Sequence, residues 1–181
     1  IHTVCREYGA FTLTPFRVTQ RWERDRFRDP YLRDDAADFD IIIDTLECAV
    51  TWSQLEKVHR EVRHFVKNRP HTICMTHLSH AYPQGGNLYF IFIAHLTDIA
   101  SYLEFQYGVL EAIQRSGAAM SHHHGLGKQT APWHVAQVDQ QHLELLCSLK
   151  KHFDSHNIMN PGGTLGLDMS PEQREKRWGI K

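Results

Sequence analysis

Neither sign of charge dominates this 181-residue chain: 20 Lys and Arg stand against 21 Asp and Glu, a formal net charge of -1. That balance removes the bulk electrostatic pull that draws proteins onto nucleic acid or anionic membranes, so no nucleic-acid partner is expected. Cysteine is scarce as well. Cys5, Cys48, Cys74 and Cys147 lie far apart with no CxxC pair, which argues against a disulfide framework and for reduced, mostly buried thiols in a cytoplasmic compartment. No apolar run approaches the ~20 residues of a membrane-spanning helix, and no secretory signal is visible. Internal repeats, low-complexity tracts, a P-loop, a dinucleotide fingerprint and a nucleophile elbow are all missing. With 41% hydrophobic and 23% charged residues, the composition is that of an ordinary globular protein, and the length supports one domain or slightly more with a real core.

Histidine is what the chain has in plenty, 14 in all, and three are consecutive in Ser121-His122-His123-His124-Gly125-Leu126-Gly127-Lys128. Consecutive residues cannot all face one way on a regular helix or strand. Three imidazoles held together each demand a proton or a partner near neutral pH. A mid-chain triplet does not fit an expression tag. Neighbouring histidines rarely chelate one ion with good geometry, and no acid or cysteine flanks them, so no metal is expected. From the residues alone the stretch is either a solvated loop or a functional site.

Residues 1–16 alternate weakly through Tyr8, Phe11, Leu13 and Phe16, which fits an edge strand or an ordered loop. Arginines 17, 21, 24, 26, 28 and 33 follow at spacings of a solvated helical face, with Glu23, Asp25 and Asp29 to offset their repulsion; Pro30 should break or kink that helix. Residues 41–50 are β-branched and read as a buried strand. A helix starts at Ser53 as N-cap, with Glu56 completing a capping box. It buries Leu55, Val58, Val62, Phe65 and Val66 and stops near Asn68 and Pro70. Strands at 71–81 and 87–96 are joined by Tyr82-Pro83-Gln84-Gly85-Gly86, a hairpin signal. A helix over 97–116 turns Ile99, Leu103, Leu110 and Ile113 inward, and Gly117 sits where a left-handed C-terminal residue belongs. A short strand at 118–121 then delivers the histidines. The order β-α-β-β-α-β predicts an α+β fold, a ferredoxin-like antiparallel sheet with helices on one face. A C-terminal helical segment follows at about 138–153, then the loop 154–162. The domain is placed at 1–163, and 164–181 is expected as an extended or frayed tail.

Several pieces together resemble the C-terminal half of FAD-linked oxidases of the vanillyl-alcohol-oxidase type, most nearly the alkyldihydroxyacetonephosphate synthases of ether-lipid synthesis. They are Asp44-Thr45-Leu46-Glu47 with Trp52, Tyr82 and Gly85 leading to Leu88-Tyr89-Phe90, the string from Ser121 to Lys128 with Trp133, and Asp154 with Asn157-Ile158. The likeness runs from about Tyr31 to Asn160, and the triple-histidine string is its most specific part. The resemblance implies that Tyr89 is the catalytic acid and base, with His122, His123 and His124 supplying the field and orientation that its phenol needs. It implies that Arg33 binds a substrate phosphate or carboxylate through its guanidinium fork, and that His123, His124 and Asn160 lie against the cofactor. Two positions depart from the synthase pattern: His77 stands where an arginine is usual, and Ser155 where proline is.

The cofactor implied is FAD, and nothing here looks like a cradle for its pyrophosphate. The expected partner is therefore an N-terminal FAD-binding domain of the same protein, and the start at Ile1 rather than Met fits a piece of a longer chain. Alone, the chain should be catalytically silent. The other partner is a small substrate bearing phosphate or carboxylate, and a homodimer is compatible with the sequence. Two chemistries follow from the resemblance. One is exchange of acyl for alkyl on dihydroxyacetone phosphate with no net redox; the other is oxidation of a 2-hydroxy acid. A third alternative, from another class, is a non-catalytic His-rich module that binds metal or ligand.

Overall fold

The computed structural model of the chain describes residues 2–9 and 18–178. It divides into two units, Ile1–Phe39 and Asp40–Lys181.

The first unit is helical: α1 (His2–Glu7), α2 (Val18–Asp25) and α3 (Asp29–Ala37). The strand or loop expected near the start is thus a helix over its first residues. A strand needs a partner ladder, and no strand is described in this unit. Phe11, Leu13, Phe16 and Arg17 lie outside the described residues. The arginine repulsion is offset at one point. Asp25 accepts two bonds from Arg24 at 2.9 Å and sits 3.7 Å from both Arg21 and Arg28. Pro30 falls in the first turn of α3, where its missing N–H costs nothing, so one helix ends and another begins instead of a single kinked one.

The second unit begins with the β-branched run Ile41-Ile42-Ile43, which opens β1 (Ile41–Thr51); α4 (Leu55–Lys67), β2 (Thr72–Ser79), β3 (Gly85–His95) and α5 (Ile99–Ser116) follow. The sheet is antiparallel in the order β1-β3-β2. The expected α+β class with helices on one face is what the chain adopts. The fourth strand shrinks to a single rung, Ala119 against Ala49, with the Ala119 N–H donating to the Ala49 carbonyl at 2.9 Å. The backbone beyond it is diverted to another acceptor, described below.

Alternation assigns one face of each strand to the core. Cys48, Phe90, Phe92 and Ala94 are fully buried against Val58, Val62 and Val66 of α4 and Phe105, Val109, Leu110 and Ile113 of α5. Those three valines recur at i, i+4 and i+8, one stripe of a helix. Leu55 and Phe65 are partly buried against the same core. The helix α5 differs from expectation at its start: Ile99 is 77% exposed and Leu103 38%. The buried stripe runs instead through Phe105, Gln106, Val109 and Ile113, and Ile99 falls in the first turn outside it. Gly108 is required by close approach, because a Cβ there would stand 2.0 Å from the Phe65 ring. Gly117 closes α5 at φ 89°, as its position predicts.

The capping box at Ser53 does not form. The helix begins one residue beyond Gln54, with no side chain capping it; the Ser53 hydroxyl turns to Thr51 Oγ1 at 3.2 Å, and Glu56 faces Arg60. Past the sheet come α6 (Ala131–Val135), α7 (Gln140–Phe153), a 3-10 turn at Thr164–Gly166 and α8 (Pro171–Trp178). Asp139 caps α7 by accepting from the His142 N–H at 2.7 Å. The expected extended tail is therefore partly helical. Arg174 orders it from within, donating to the carbonyls of Gly166 and Met169, each at 3.1 Å, and reaches Cys147 Sγ on α7 at 3.6 Å.

Candidate active site: an imidazole cluster on the open face of the sheet

In the register of the sheet Tyr89 on β3 lies between Glu47 on β1 and His77 on β2. Paired residues share a face, so the three form a row across the side that α4 and α5 leave uncovered. Thr45 and Asn87 share that side by the same alternation. The Asp-Thr-Leu-Glu segment is thus split by the pleat. Asp44 faces α5, accepting from Tyr102 O–H at 2.9 Å and Gln106 Nε2 at 2.6 Å, while Thr45 and Glu47 face the site.

Glu47 organises the loop. Although 3% exposed, its carboxylate accepts from the Ser121 hydroxyl at 2.6 Å and from the N–H groups of three successive residues. These are His122 at 2.8 Å to both oxygens, His123 at 3.0 Å and His124 at 2.9 Å. An unpaired buried carboxylate would be prohibitively costly. Burial pushes the Glu47 carboxyl up, yet the Ser121 hydroxyl and the three N–H groups together hold it below its ordinary value. The same carboxylate explains the truncated fourth strand, because N–H groups aimed at Glu47 cannot also serve a ladder with β1.

With its backbone committed, the loop splays its rings across the row. The His123 ring stacks on Tyr89 at 6.3 Å, and His124 meets Tyr89 edge-on at 5.3 Å. The Tyr89 hydroxyl donates to Thr45 Oγ1 at 3.2 Å. His122 Nε2 lies 3.1 Å from the Tyr82 hydroxyl, and its Nδ1 3.1 Å from His123 Nδ1. His80, from the hairpin, approaches both rings at 5.0 and 4.9 Å. Trp52 Nε1 donates to the Tyr82 carbonyl at 2.9 Å and fastens that hairpin. Asn87 Oδ1 is buried with no hydrogen-bond partner among the described residues, and its Nδ2 is 3.5 Å from His123 Nδ1. A phenol ringed by imidazoles above a fixed carboxylate can hold and move a proton.

Within the second unit the structure gathers Tyr89, His122, His123 and His124. Arg33 belongs to the first unit, on α3, where it is exposed. Asn160 sits in the turn after α7, left-handed at φ 50°, its carbonyl accepting from the Gly163 N–H at 3.0 Å. Sequence reasoning did not anticipate Glu47 as the anchor, nor His80, Tyr82, Thr45 and Asn87 as neighbours. The hairpin register offered a partial signal: counting out from the turn puts His77, Asn87 and Tyr89 on one face, and alternation puts Thr45 and Glu47 on one face of β1. Nothing in the sequence foretells a side chain reaching three N–H groups in a distant loop.

A family model described as "FAD linked oxidases, C-terminal domain" matches residues 3–164. Among curated proteins, the chain is 32% identical over 149 residues to an alkyldihydroxyacetonephosphate synthase of Dictyostelium discoideum, covering 77% of this chain and 24% of that protein. It is 28% identical over 183 residues to an alkyldihydroxyacetonephosphate synthase of Trypanosoma brucei brucei, with 96% and 29% covered. An uncharacterized FAD-linked oxidoreductase of Escherichia coli K12 is 32% identical over 130 residues, 65% of this chain and 27% of that one. A solved alkyldihydroxyacetonephosphate synthase superposes with a TM-score of 0.55 at 25% identity, over 78% of this chain and 24% of that chain. The chain thus spans about a quarter of the length of the relatives it matches.

Proposed function

The chain belongs to the family of FAD-linked oxidase C-terminal domains, and we propose that in its full-length protein it covers the substrate of a FAD-dependent enzyme exchanging acyl for alkyl on dihydroxyacetone phosphate. One observation carries this reading. The Tyr89 phenol is fixed by Thr45 at 3.2 Å and flanked by His123 and His124, in a chain whose relatives bear the name alkyldihydroxyacetonephosphate synthase.

The residues present fit the reacting end of FAD: imidazole donors, a phenol and an unpartnered amide oxygen on one open face. They offer no cradle for its pyrophosphate, which we assign to a separate N-terminal domain. FAD, when bound, supplies the electrophilic and redox-active centre. Tyr89 takes a proton from the substrate and returns it. Thr45 Oγ1 fixes its hydroxyl at 3.2 Å, and the His123 and His124 rings flank it. Glu47 holds the imidazoles in place. Arg33, on the strength of the family likeness alone, is assigned to the substrate's phosphate or carboxylate.

The test uses the full-length protein with acyl-dihydroxyacetone phosphate and a fatty alcohol. Formation of the alkyl product, cut by ~10²–10⁴ in Tyr89→Phe, is the expected result. Near-normal turnover in Tyr89→Phe would remove Tyr89 from the mechanism. Flavin bleaching by a 2-hydroxy acid, without alkyl exchange, would replace the synthase reading with that of an oxidoreductase like the Escherichia coli relative.

A further inference from the structure

We propose that His80, His122 and His123 together bind one divalent transition-metal ion of the zinc type. This goes beyond the acid–base role of the cluster and stands independently of it. Sequence spacing argues against chelation by adjacent histidines, but the fold adds a third imidazole from a different element. His80 lies on the β2–β3 hairpin at φ 51°, and one ring nitrogen of each of the three residues falls within 4.8 Å of the others. Zn–N bonds of about 2.0–2.1 Å set at the tetrahedral angle place ligand nitrogens about 3.4 Å apart. His122 Nδ1 and His123 Nδ1 are already 3.1 Å apart. The exposed His80 ring has only to close on them.

The remaining contacts assign one free nitrogen to His80 and one to His122, and at His123 Nδ1 the only side-chain amide nearby is Asn87 Nδ2 at 3.5 Å among the described residues. Ser79 Oγ sits 2.9 Å from His80 Nδ1, leaving Nε2 for the ion. The Tyr82 hydroxyl sits 3.1 Å from His122 Nε2, leaving Nδ1. A hydrogen bond to the second nitrogen is how ligating histidines are usually oriented. Two Nδ1 atoms facing each other at 3.1 Å need a proton between them or a shared cation, and a cation satisfies both lone pairs. Glu47 Oε2, 3.8 Å from His123 Nδ1, contributes negative charge; its oxygens already accept from the loop N–H groups. Three neutral nitrogen ligands select zinc, nickel, copper or cobalt over magnesium or calcium, and leave a coordination position open.

The full chain, stripped with chelator, would be titrated with zinc chloride by calorimetry and with cobalt chloride by visible absorption. Expected are one ion per chain at micromolar or tighter affinity, no competition from magnesium, and a tetrahedral cobalt spectrum. His80→Ala and His122→Ala should each weaken binding at least ~10-fold, and Tyr82→Phe less, whereas His77→Ala should bind as the wild type does. Circular dichroism checks folding, and His80→Asn replaces His80→Ala if the latter unfolds. Absence of stoichiometric uptake, or unchanged affinity in both His80 variants, overturns the proposal. Neither result bears on the Tyr89 assay, so the two readings can fail separately.

Discussion

Replacing Glu47 by Gln tests whether the histidine loop is held by a charge. The carboxylate accepts from the Ser121 hydroxyl and from three successive N–H groups. Hydrogen bonds to a charged group contribute ~1.5–3 kcal/mol each, and neutral ones ~0.5–1.5. Losing the charge therefore costs about 1 kcal/mol per bond, or about 4 in all. The lower desolvation cost of a neutral amide offsets part of that, while its NH₂ opposes the His122 N–H, which now donates to both oxygens. A net loss of about 2–4 kcal/mol follows. At ~2–4 °C per kcal/mol for a chain of this size, thermal unfolding should shift down by about 4–16 °C. The pH dependence provides an independent check. The folded carboxyl titrates below its ordinary value, so its stabilisation is present above the unfolded value of ~4.3 and lost as pH falls through the lower folded one. The gap between wild type and Glu47→Gln should be constant from pH 5 to 7 and narrow below about pH 4. Equal unfolding temperatures, or a gap that persists unchanged in acid, would refute the idea that a carboxylate charge holds the loop.

Gly108→Ala should destabilise by about 1–3 kcal/mol through overpacking against Phe65, 2.0 Å from the added methyl; in the Phe65→Ala background the sign should reverse, since alanine is the better helix former. Phe92→Ala, removing a fully buried ring that packs edge-on against Phe105 at 5.0 Å, should cost about 3–5 kcal/mol in a denaturant titration. Burial, helped by the neighbouring Glu47 charge, pushes the Cys48 thiol up to about 12. Iodoacetamide at pH 8 should therefore leave Cys48 unmodified in the native protein and label it after unfolding, as mass spectrometry of peptides would report.

The helices and strands were legible where one periodicity ruled a stretch. Val58, Val62 and Val66 announce α4, and the β-branched run from Ile41 announces β1. Gly117 announces the end of α5. Expectation failed where a polar group took a partner other than the one its local pattern names. Ser53 had the chemistry of a cap, but its hydroxyl pairs with Thr51. The segment 118–121 had the look of a strand, and only Ala119 pairs, because Glu47 claims the N–H groups that follow. The tail looked too charged to order, yet the Arg174 guanidinium finds two carbonyls there. Of these contacts only the one to Glu47 joins residues that no local window contains; Ser53 and Arg174 find their partners within the same stretch of chain. The site shows the same division. Tyr89 and the three histidines were visible as residue types with a family likeness, whereas the carboxylate beneath them was visible only as one letter of a strand motif.

The triple histidine, which suits neither helix nor strand, has a physical explanation in that carboxylate. Three consecutive N–H groups can converge on one anion only if the backbone curls around it, forming the kind of concave anion nest that turns provide. Curling inward on the backbone side throws successive side chains outward in different directions, so a nest is a device for fanning rings apart. His122 accordingly points to Tyr82, while His123 lies over Tyr89 and His124 meets it edge-on. Glu47 pairs with Tyr89 across the sheet, so the fan is centred on the phenol by strand register alone. It follows that inserting one residue between Glu47 and Cys48, with Cys48 and Val50 keeping their core places, would turn Glu47 to the other face at the cost of Leu46. The loop would then lose its anchor and the imidazoles their common centre. Such an insertion should abolish both zinc uptake and Tyr89-dependent turnover, whereas one added after Gly127, beyond the nest, should spare zinc uptake. Retention of zinc binding by the β1 insertion would show that the loop is shaped by something other than Glu47.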